Sequence, residues 1–426
     1  MDTIVALATA RGRAGVAIVR VSGALAWQVC QALAGSVPEP RHAKLLVLRD
    51  SSDDILDQAL VLVFEEGRSF TGEKVCEFQI HGSVAVVVSV LQACLAISGV
   101  RTADPGEFTR RAFINGNLDL TEVEALADLI DSETEGQRRQ AMRVLDGTAG
   151  RIVEAWREDL LLSLTMIEAS MDFADEELPD DLMSYVDAPM DRVLSGLMEQ
   201  LQGRRASETI RDGYEVAIIG RVNAGKSTLL NVLAGRDAAI TSERAGTTRD
   251  VIEVRMDIAG MAVTLIDTAG LRKTSDEIER VGIERGMSRA RNADLRVFLK
   301  SSPDDWAEGV QAGDIVLLSK ADVWEKEGIS ALTGEGISEL IAEIQLRLSQ
   351  RVKFSSVFAR ERHFDKLQSA ADFLTEGRIV LNGPSSAWEL VSEEIHGALR
   401  CLDGIVGRVD VEDVLGRIFS SFCIGK

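Results

Sequence analysis

The chemistry begins at Gly220-Arg221-Val222-Asn223-Ala224-Gly225-Lys226-Ser227, which has the spacing G-x-x-x-x-G-K-[ST]. Glycines let the backbone curl so that its N–H groups point at one polyphosphate. The spacing assigns Lys226 to the β- and γ-phosphates and the Ser227 hydroxyl to Mg²⁺, with Thr228 next in the same turn. An apolar run, Val216 to Ile219, enters as a buried strand does. Leu229, Leu230, Val232 and Leu233 leave at helical spacing, so the positive end of that helix faces the anion.

Three further elements follow in the order that guanine-nucleotide chemistry requires. Ala245-Gly246-Thr247-Thr248 offers two hydroxyls, one to complete the Mg²⁺ shell while its backbone meets the γ-phosphate. Val251 to Ile258 and Met261 to Ile266 flank Ala259-Gly260 as a hairpin, delivering Asp267-Thr268-Ala269-Gly270. There Asp267 holds the metal through water and the Gly270 N–H meets the γ-phosphate. After the apolar run Ile315 to Leu318 comes Ser319-Lys320-Ala321-Asp322. The Asp322 carboxylate suits the guanine N1–H and exocyclic amine, donors that adenine lacks there. Lys320 lays its stem along the base, and Ser330-Ala331-Leu332 presents the Ala331 N–H to the guanine oxygen.

The elements that must position these residues belong to a chain of 426 residues, 46% hydrophobic and 27% charged, room for several domains. Net charge is −21, which excludes a surface that grips nucleic acid everywhere. Residues 118–212 hold nine basic against 23 acidic side chains, the larger part of that excess. Residues 1–117 read as an α+β domain, with strands at Thr3 to Leu7, Val16 to Val19, Leu45 to Leu48, Ala59 to Phe64 and Val75 to Ile80. The uncharged stretch from Ser83 to Val100 reads as a buried helix over that sheet rather than a membrane span. Arg20 and Glu77 interrupt apolar strands; pattern alone makes them a structural salt bridge or a ligand contact.

From Leu118 the texture turns helical, with Thr121-Glu-Val-Glu124 reading as a capping box. An acidic break carrying Pro179 and Pro189 spans Asp172 to Asp191. The nucleotide module occupies 213–350. Helical texture then resumes over 351–426, where Ser386 caps a helix carrying Trp388, Val391, Ile395 and Leu399 on one face. The architecture is thus a discontinuous helical domain, 118–212 with 351–426, split by an inserted Ras-like GTPase module. Cys30, Cys76, Cys94, Cys401 and Cys423 form no C-x-x-C pair, and no export leader is seen, so free thiols in a reducing cytoplasm are expected.

The whole chain resembles the MnmE (TrmE) family of tRNA modification GTPases. Beyond the module, Ser69-Phe-Thr-Gly-Glu73, His81-Gly82, Pro105-Gly-Glu-Phe-Thr-Arg110 and Leu118-Asp-Leu120 carry the likeness. The most specific stretch is Leu415-Gly-Arg-Ile-Phe-Ser-Ser-Phe-Cys-Ile-Gly-Lys426. The resemblance implies GTP hydrolysis activated by K⁺ rather than by an arginine finger. Asn223 matches the K⁺-coordinating asparagine, and Ser242, Glu243, Arg244, Ala245, Gly246 and Thr247 match the loop that completes that site, with Ser242, Arg244 and Thr247 as ligands. Thr248 matches the Mg²⁺ threonine, and Glu279 matches the acid that positions the attacking water. Read without the resemblance, Glu279 is one more charge on a solvated helix. The N-terminal domain is implied to dimerise and to bind 5-formyl- or 5,10-methylene-tetrahydrofolate through Arg20, Glu77, Asn117 and Lys426. The implied partners are tRNA and the FAD-dependent MnmG (GidA), in a heterotetramer that modifies C5 of the wobble uridine. Cys423 reads as a catalytic thiol or as a buried apolar residue beside Phe422.

The sequence departs from the family's pattern in five places. Val222 stands where proline is usual, Ser319 replaces the asparagine of N-K-x-D, and Asn117 replaces a lysine. Leu295-Arg-Val-Phe-Leu299 sets an arginine in a strand, and the segment 300–315 is short, so the module is expected to be trimmed there.

Overall fold

The structure is a computed structural model that describes residues 2–172, 182–221, 223–236, 240, 253–267, 289–305, 309–350, 355–383, 387–409, 415, 418 and 425. The chain forms two units, Met1–Ala127 with Asp403–Lys426, and Asp128–Leu402.

The first unit is built on a six-stranded sheet of β1 (Thr3–Leu7), β2 (Val16–Ser22), β3 (Lys44–Arg49), β4 (Ile55–Phe64), β5 (Val75–His81) and β6 (Val100–Thr102), in the order β3-β4-β5-β2-β1-β6. All neighbours are antiparallel except β1 and β6. Alternation sets its faces: Val5, Val19, Val21, Val61, Val63, Phe78 and Ile80 point into a core covered by α1 (Ala26–Ala34) and α2 (Val84–Leu95). The uncharged stretch is therefore a helix packed on the sheet, with Val90 and Cys94 buried. On the opposite face α3 (Glu107–Ile114) brings Phe108 against Ile4 and Ala6. Leu415 and Ile418 pack with Leu120 and Val123 in the same unit. Cys30, Cys76, Cys94 and Cys401 are free and buried.

The helix α4 (Leu120–Ile130) starts one residue before the expected cap, Thr121. Asp119 Oδ1 accepts the Glu122 N–H at 2.8 Å, and Glu122 Oε2 accepts the Asp119 N–H at 2.7 Å. The reciprocal cap is thus Asp119 with Glu122, because aspartate caps as well as threonine and Thr121 lies inside, buried.

The second unit holds α5 (Glu135–Leu145), α6 (Thr148–Asp172), α7 (Leu182–Gln202) and α8 (Arg204–Asp212) ahead of a second sheet. The acidic break is shorter than the sequence suggests, since Pro189 lies inside α7, where it removes one backbone donor without ending the helix. The sheet contains β7 (Tyr214–Gly220), β8 (Glu253–Ile258), β9 (Met261–Asp267), β10 (Leu295–Lys300) and β11 (Ile315–Leu318), ordered β11-β10-β7-β9-β8. Among the described strands only β8 and β9 run antiparallel, as the hairpin around Ala259-Gly260 requires. Such a sheet needs cover on both faces, hence its near-continuous apolar strands. The helices α9 (Lys226–Ala234) and α11 (Ile337–Ser349) supply part of that core, with the one-turn α10 (Ala321–Trp324) between them in sequence.

Beyond β11 the pairing shrinks to a single parallel bridge, Ser319 to Ile329. Arg296 in β10 is held by Asp314, Nε to Oδ1 at 3.0 Å and Nη2 to Oδ2 at 2.6 Å, so the arginine enters the strand with its charge offset. After the sheet come α12 (Glu361–Leu381) and α13 (Trp388–Val406), the latter burying Val391 and Ile395. The expected cap Ser386 lies outside the described residues.

Candidate nucleotide site

The glycine-rich loop leaves β7 at Gly220, which pairs with Leu299 of β10. A Cβ on Gly220 would sit 2.6 Å from the Leu299 carbonyl oxygen, so only glycine fits that crossing. Asn223 and Gly225 take left-handed backbones, φ 62° and 84°, which turn the loop into α9. Lys226 is 5% exposed; its Nζ donates to Gly220 O at 2.7 Å and Arg221 O at 2.9 Å. Burial lowers its pKa from the usual 10.5, and the Asp267 carboxylate opposes that shift. Ala224 is buried, while Asn223 and Thr228 are exposed.

One residue further, Ser227 Oγ donates to Asp267 Oδ2 at 2.7 Å. Parallel pairing of β7 with β9, which sets Ile218 opposite Asp267, places the strand ends side by side. A hydroxyl and a carboxylate that is 2% exposed are hard oxygen donors, the set that Mg²⁺ prefers. These two residues therefore fit the ion that the motif implies.

The residues expected beside the base gather at the end of β11 and at the bridge beside it. Ser319 is buried, and its Oγ donates to Lys300 O at 2.9 Å, bracing β10 rather than the loop. Lys320 turns left-handed at φ 58°, after which Ala321 is buried and Asp322 exposed on α10. Ser330 is buried; its Oγ accepts the Thr333 N–H at 3.2 Å and its backbone N–H donates to Glu335 O at 3.0 Å. Leu332 stands 86% exposed beside the half-buried Ala331. Gly328 and Gly336 allow the close approach, since a Cβ on either would meet a backbone oxygen at 2.2 or 2.3 Å.

The first unit brings a second group together. Arg20 and Glu77 are cross-strand partners in β2 and β5, and Arg20 Nε donates to Glu77 Oε1 at 2.8 Å. The guanidinium also lies 5.7 Å from the Phe70 ring centre and 5.8 Å from that of Phe108. Asn117 Nδ2 donates to Ser69 O at 3.0 Å and Phe70 O at 3.1 Å, leaving its amide oxygen available. A Cβ on Gly425 would meet Leu7 O at 2.0 Å, so the tail's glycine passes the end of β1. Sequence reasoning missed the two phenylalanines, although both sit in motifs singled out for the family.

Those motifs also hold a buried charge network. Arg111, 4% exposed at its side chain, donates to Glu73, Glu107 and the backbone oxygen of Asp2. Burial pushes Glu107 up, but hydrogen bonds from Arg101, the Asp104 N–H and Arg111 outweigh it and hold the carboxyl below the usual 4.5. Expectations for Ser242, Glu243, Arg244, Ala245, Gly246, Thr247, Thr248, Thr268, Ala269, Gly270, Glu279, Cys423 and Lys426 lie outside the described residues.

A model of the MnmE helical domain matches residues 120–423, and one of the GTP-binding protein TrmE N-terminus matches residues 3–117. The tRNA modification GTPase MnmE of Cereibacter sphaeroides is 53% identical, with all of both chains aligned. The chain belongs to the MnmE family. Its counterpart in Roseobacter denitrificans is 51% identical, again over the whole of both. Like those tRNA modification GTPases, this MnmE-family chain is a GTP hydrolase. A solved Era structure from Aquifex aeolicus, bound to GDP.AlF4-, covers 38% of this chain and 66% of its own at 23% identity and TM-score 0.24. Among the described residues no helix is long and apolar enough to cross a membrane.

Proposed function

We propose that the chain is a K⁺-activated GTPase of the cytoplasm. It acts as a homodimer with the FAD-dependent MnmG, in a heterotetramer that installs aminomethyl or carboxymethylaminomethyl groups at C5 of the tRNA wobble uridine. The observation that carries the reading is the Ser227–Asp267 pair beside the buried Lys226, in a chain that matches tRNA modification GTPases end to end.

In this reading Lys226 and the N–H groups of the loop from Asn223 to Thr228 bind the phosphates. Ser227 and Thr248, with Asp267, would hold Mg²⁺, which when bound would offset charge on the phosphoryl oxygens. Thr268, Ala269 and Gly270 follow Asp267 toward the γ-phosphate. The amide oxygen of Asn223, with Ser242, Arg244 and Thr247, suits K⁺, which supplies positive charge where an arginine finger otherwise does. Glu279 orients the attacking water. Asp322 reads guanine, Lys320 and Ala321 flank the base, and Ser330, Ala331 and Leu332 close over it.

Arg20, Glu77 and Asn117, with the tail residue Lys426, bind a one-carbon tetrahydrofolate, the phenylalanines around Arg20 offering faces for its ring. Cys423 is the thiol nearest that chain end in sequence and serves the modification chemistry.

Nucleoside analysis of tRNA from a strain lacking the gene tests the function directly. Loss of the modified wobble uridines, restored by the gene on a plasmid, is expected. Unchanged wobble uridines would refute it.

A further inference from the structure

The short segment after β10 turns back onto the phosphate loop. Within it Asp305 has a side chain only 5% exposed. Its Oδ2 accepts the Ser301 N–H at 2.9 Å and the Ser301 hydroxyl at 2.7 Å. Oδ1 is shut off from solvent, takes no hydrogen bond, and faces Arg221 Nε at 3.1 Å. The approach is off the line that a hydrogen bond needs, so the contact is coulombic. The Ser301 donors hold the Asp305 carboxyl below its ordinary 3.8, and Arg221 and Lys300 add to that.

Arg221 is in turn the first residue of a tight turn. Its carbonyl oxygen accepts the Ala224 N–H at 3.2 Å and Lys226 Nζ at 2.9 Å. Asn223, third in the turn, takes a left-handed backbone at φ 62°. A side chain leaving from that position is aimed by the turn, and the turn is anchored at Arg221. An amide oxygen that must share a cation with other ligands gains from being held beforehand, because freezing it at the moment of binding costs affinity.

We infer that Asp305 is a positioning residue for Asn223, acting through Arg221, and so for the monovalent cation at the phosphate loop. The inference rests on the potassium reading above. It gives the segment after β10 a role: it sets a carboxylate against the loop and steadies from the side what the glycines leave pliable.

The test uses the full-length protein and measures GTP turnover against KCl concentration for wild type, Asp305→Asn, Arg221→Met and the double variant. The half-activating K⁺ concentration should rise about threefold in each single variant, the factor expected of an ion pair with one exposed partner. The double variant should be no worse than either single, since both break one link. GDP affinity should stay close to wild type. Arg221→Met leaves the Ser301–Asp305 bonds in place, so it answers even if Asp305→Asn loosens the segment. Unchanged half-activation in the single variants would overturn the inference, as would effects that multiply in the double variant. A GDP affinity that falls in step with K⁺ activation would also overturn it, by showing a loop loosened as a whole. Wild-type turnover that is equal in KCl and NaCl would instead remove the potassium reading beneath it.

Discussion

The hairpin between the Thr247-Thr248 and Asp267 motifs rests on the first turn of α5. The Gly136 N–H donates to Gly260 O at 2.9 Å, and Arg255 Nη1 lies 3.0 Å from Glu133 Oε2. Substituting Gly136→Ala adds a Cβ that would stand 2.6 Å from Gly260 O, well inside contact distance, against backbone that has no rotamer to give. Overpacking of this kind costs about 1–3 kcal/mol, and stretching the hydrogen bond costs about 1 kcal/mol more. Alanine's helix preference returns at most about 1 kcal/mol, and less in a first turn. The balance is a local loss of about 1–3 kcal/mol. A chain of two units does not unfold in one step, so a melting midpoint is the wrong readout. Native-state hydrogen exchange reads the hairpin directly. Amides of β8, β9 and the start of α5 should exchange at least about fivefold faster, since about 1.4 kcal/mol corresponds to tenfold. Those of the first sheet should not change. Gly15→Ala, with open space around its α-carbon, is the control. Equal or slower exchange in the Gly136→Ala hairpin would refute the seating argued here.

Two other perturbations have signs set by the structure. Asp322→Asn exchanges a carboxylate for an amide that can donate to the C2 oxygen of xanthine; GDP binding should weaken by about 10- to 100-fold and XDP binding should improve, measured by fluorescent-nucleotide titration. An unaltered GDP-to-XDP ratio would remove Asp322 from the base site. In the first unit, the carboxyls of Glu107 and Asp2 are held below their ordinary 4.5 and 3.8. Their contribution to stability is therefore complete above those ordinary values and is lost as pH falls through the lowered ones. Hydrogen exchange in the first sheet should accelerate as pH drops below about 4.5, after correction for intrinsic rates. Glu107→Gln should flatten that dependence; an equally steep curve would show that the network is not its source.

How much was legible in the chain follows from how far apart the cooperating residues lie. The phosphate loop, the Asp267 turn and the base-side quartet are local spacings, and the buried parallel strands announce themselves as unbroken apolar runs: β7 and β9 ended where the motifs said they should. Helix ends were less secure because several residues compete for one role. Asp119 took the cap expected of Thr121, and α7 absorbed Pro189 in place of breaking.

Long-range pairing was legible only in part. Charges set in apolar strands offered Arg20 and Glu77 as a salt bridge, and the structure pairs them across 57 positions, but no periodicity tells that Phe70 and Phe108 flank the arginine. Arg296 looked foreign to a strand until Asp314, 18 residues on, met it with both oxygens. The same limit explains why Asp305 carried no signal: its meaning depends on Arg221, and only the parallel pairing of β7 with β10 brings the loops after those two strands together. Local spacing thus tells which chemistry the loop can perform. What holds the loop in shape for it is written in contacts between strands, and these come into view only once register is known.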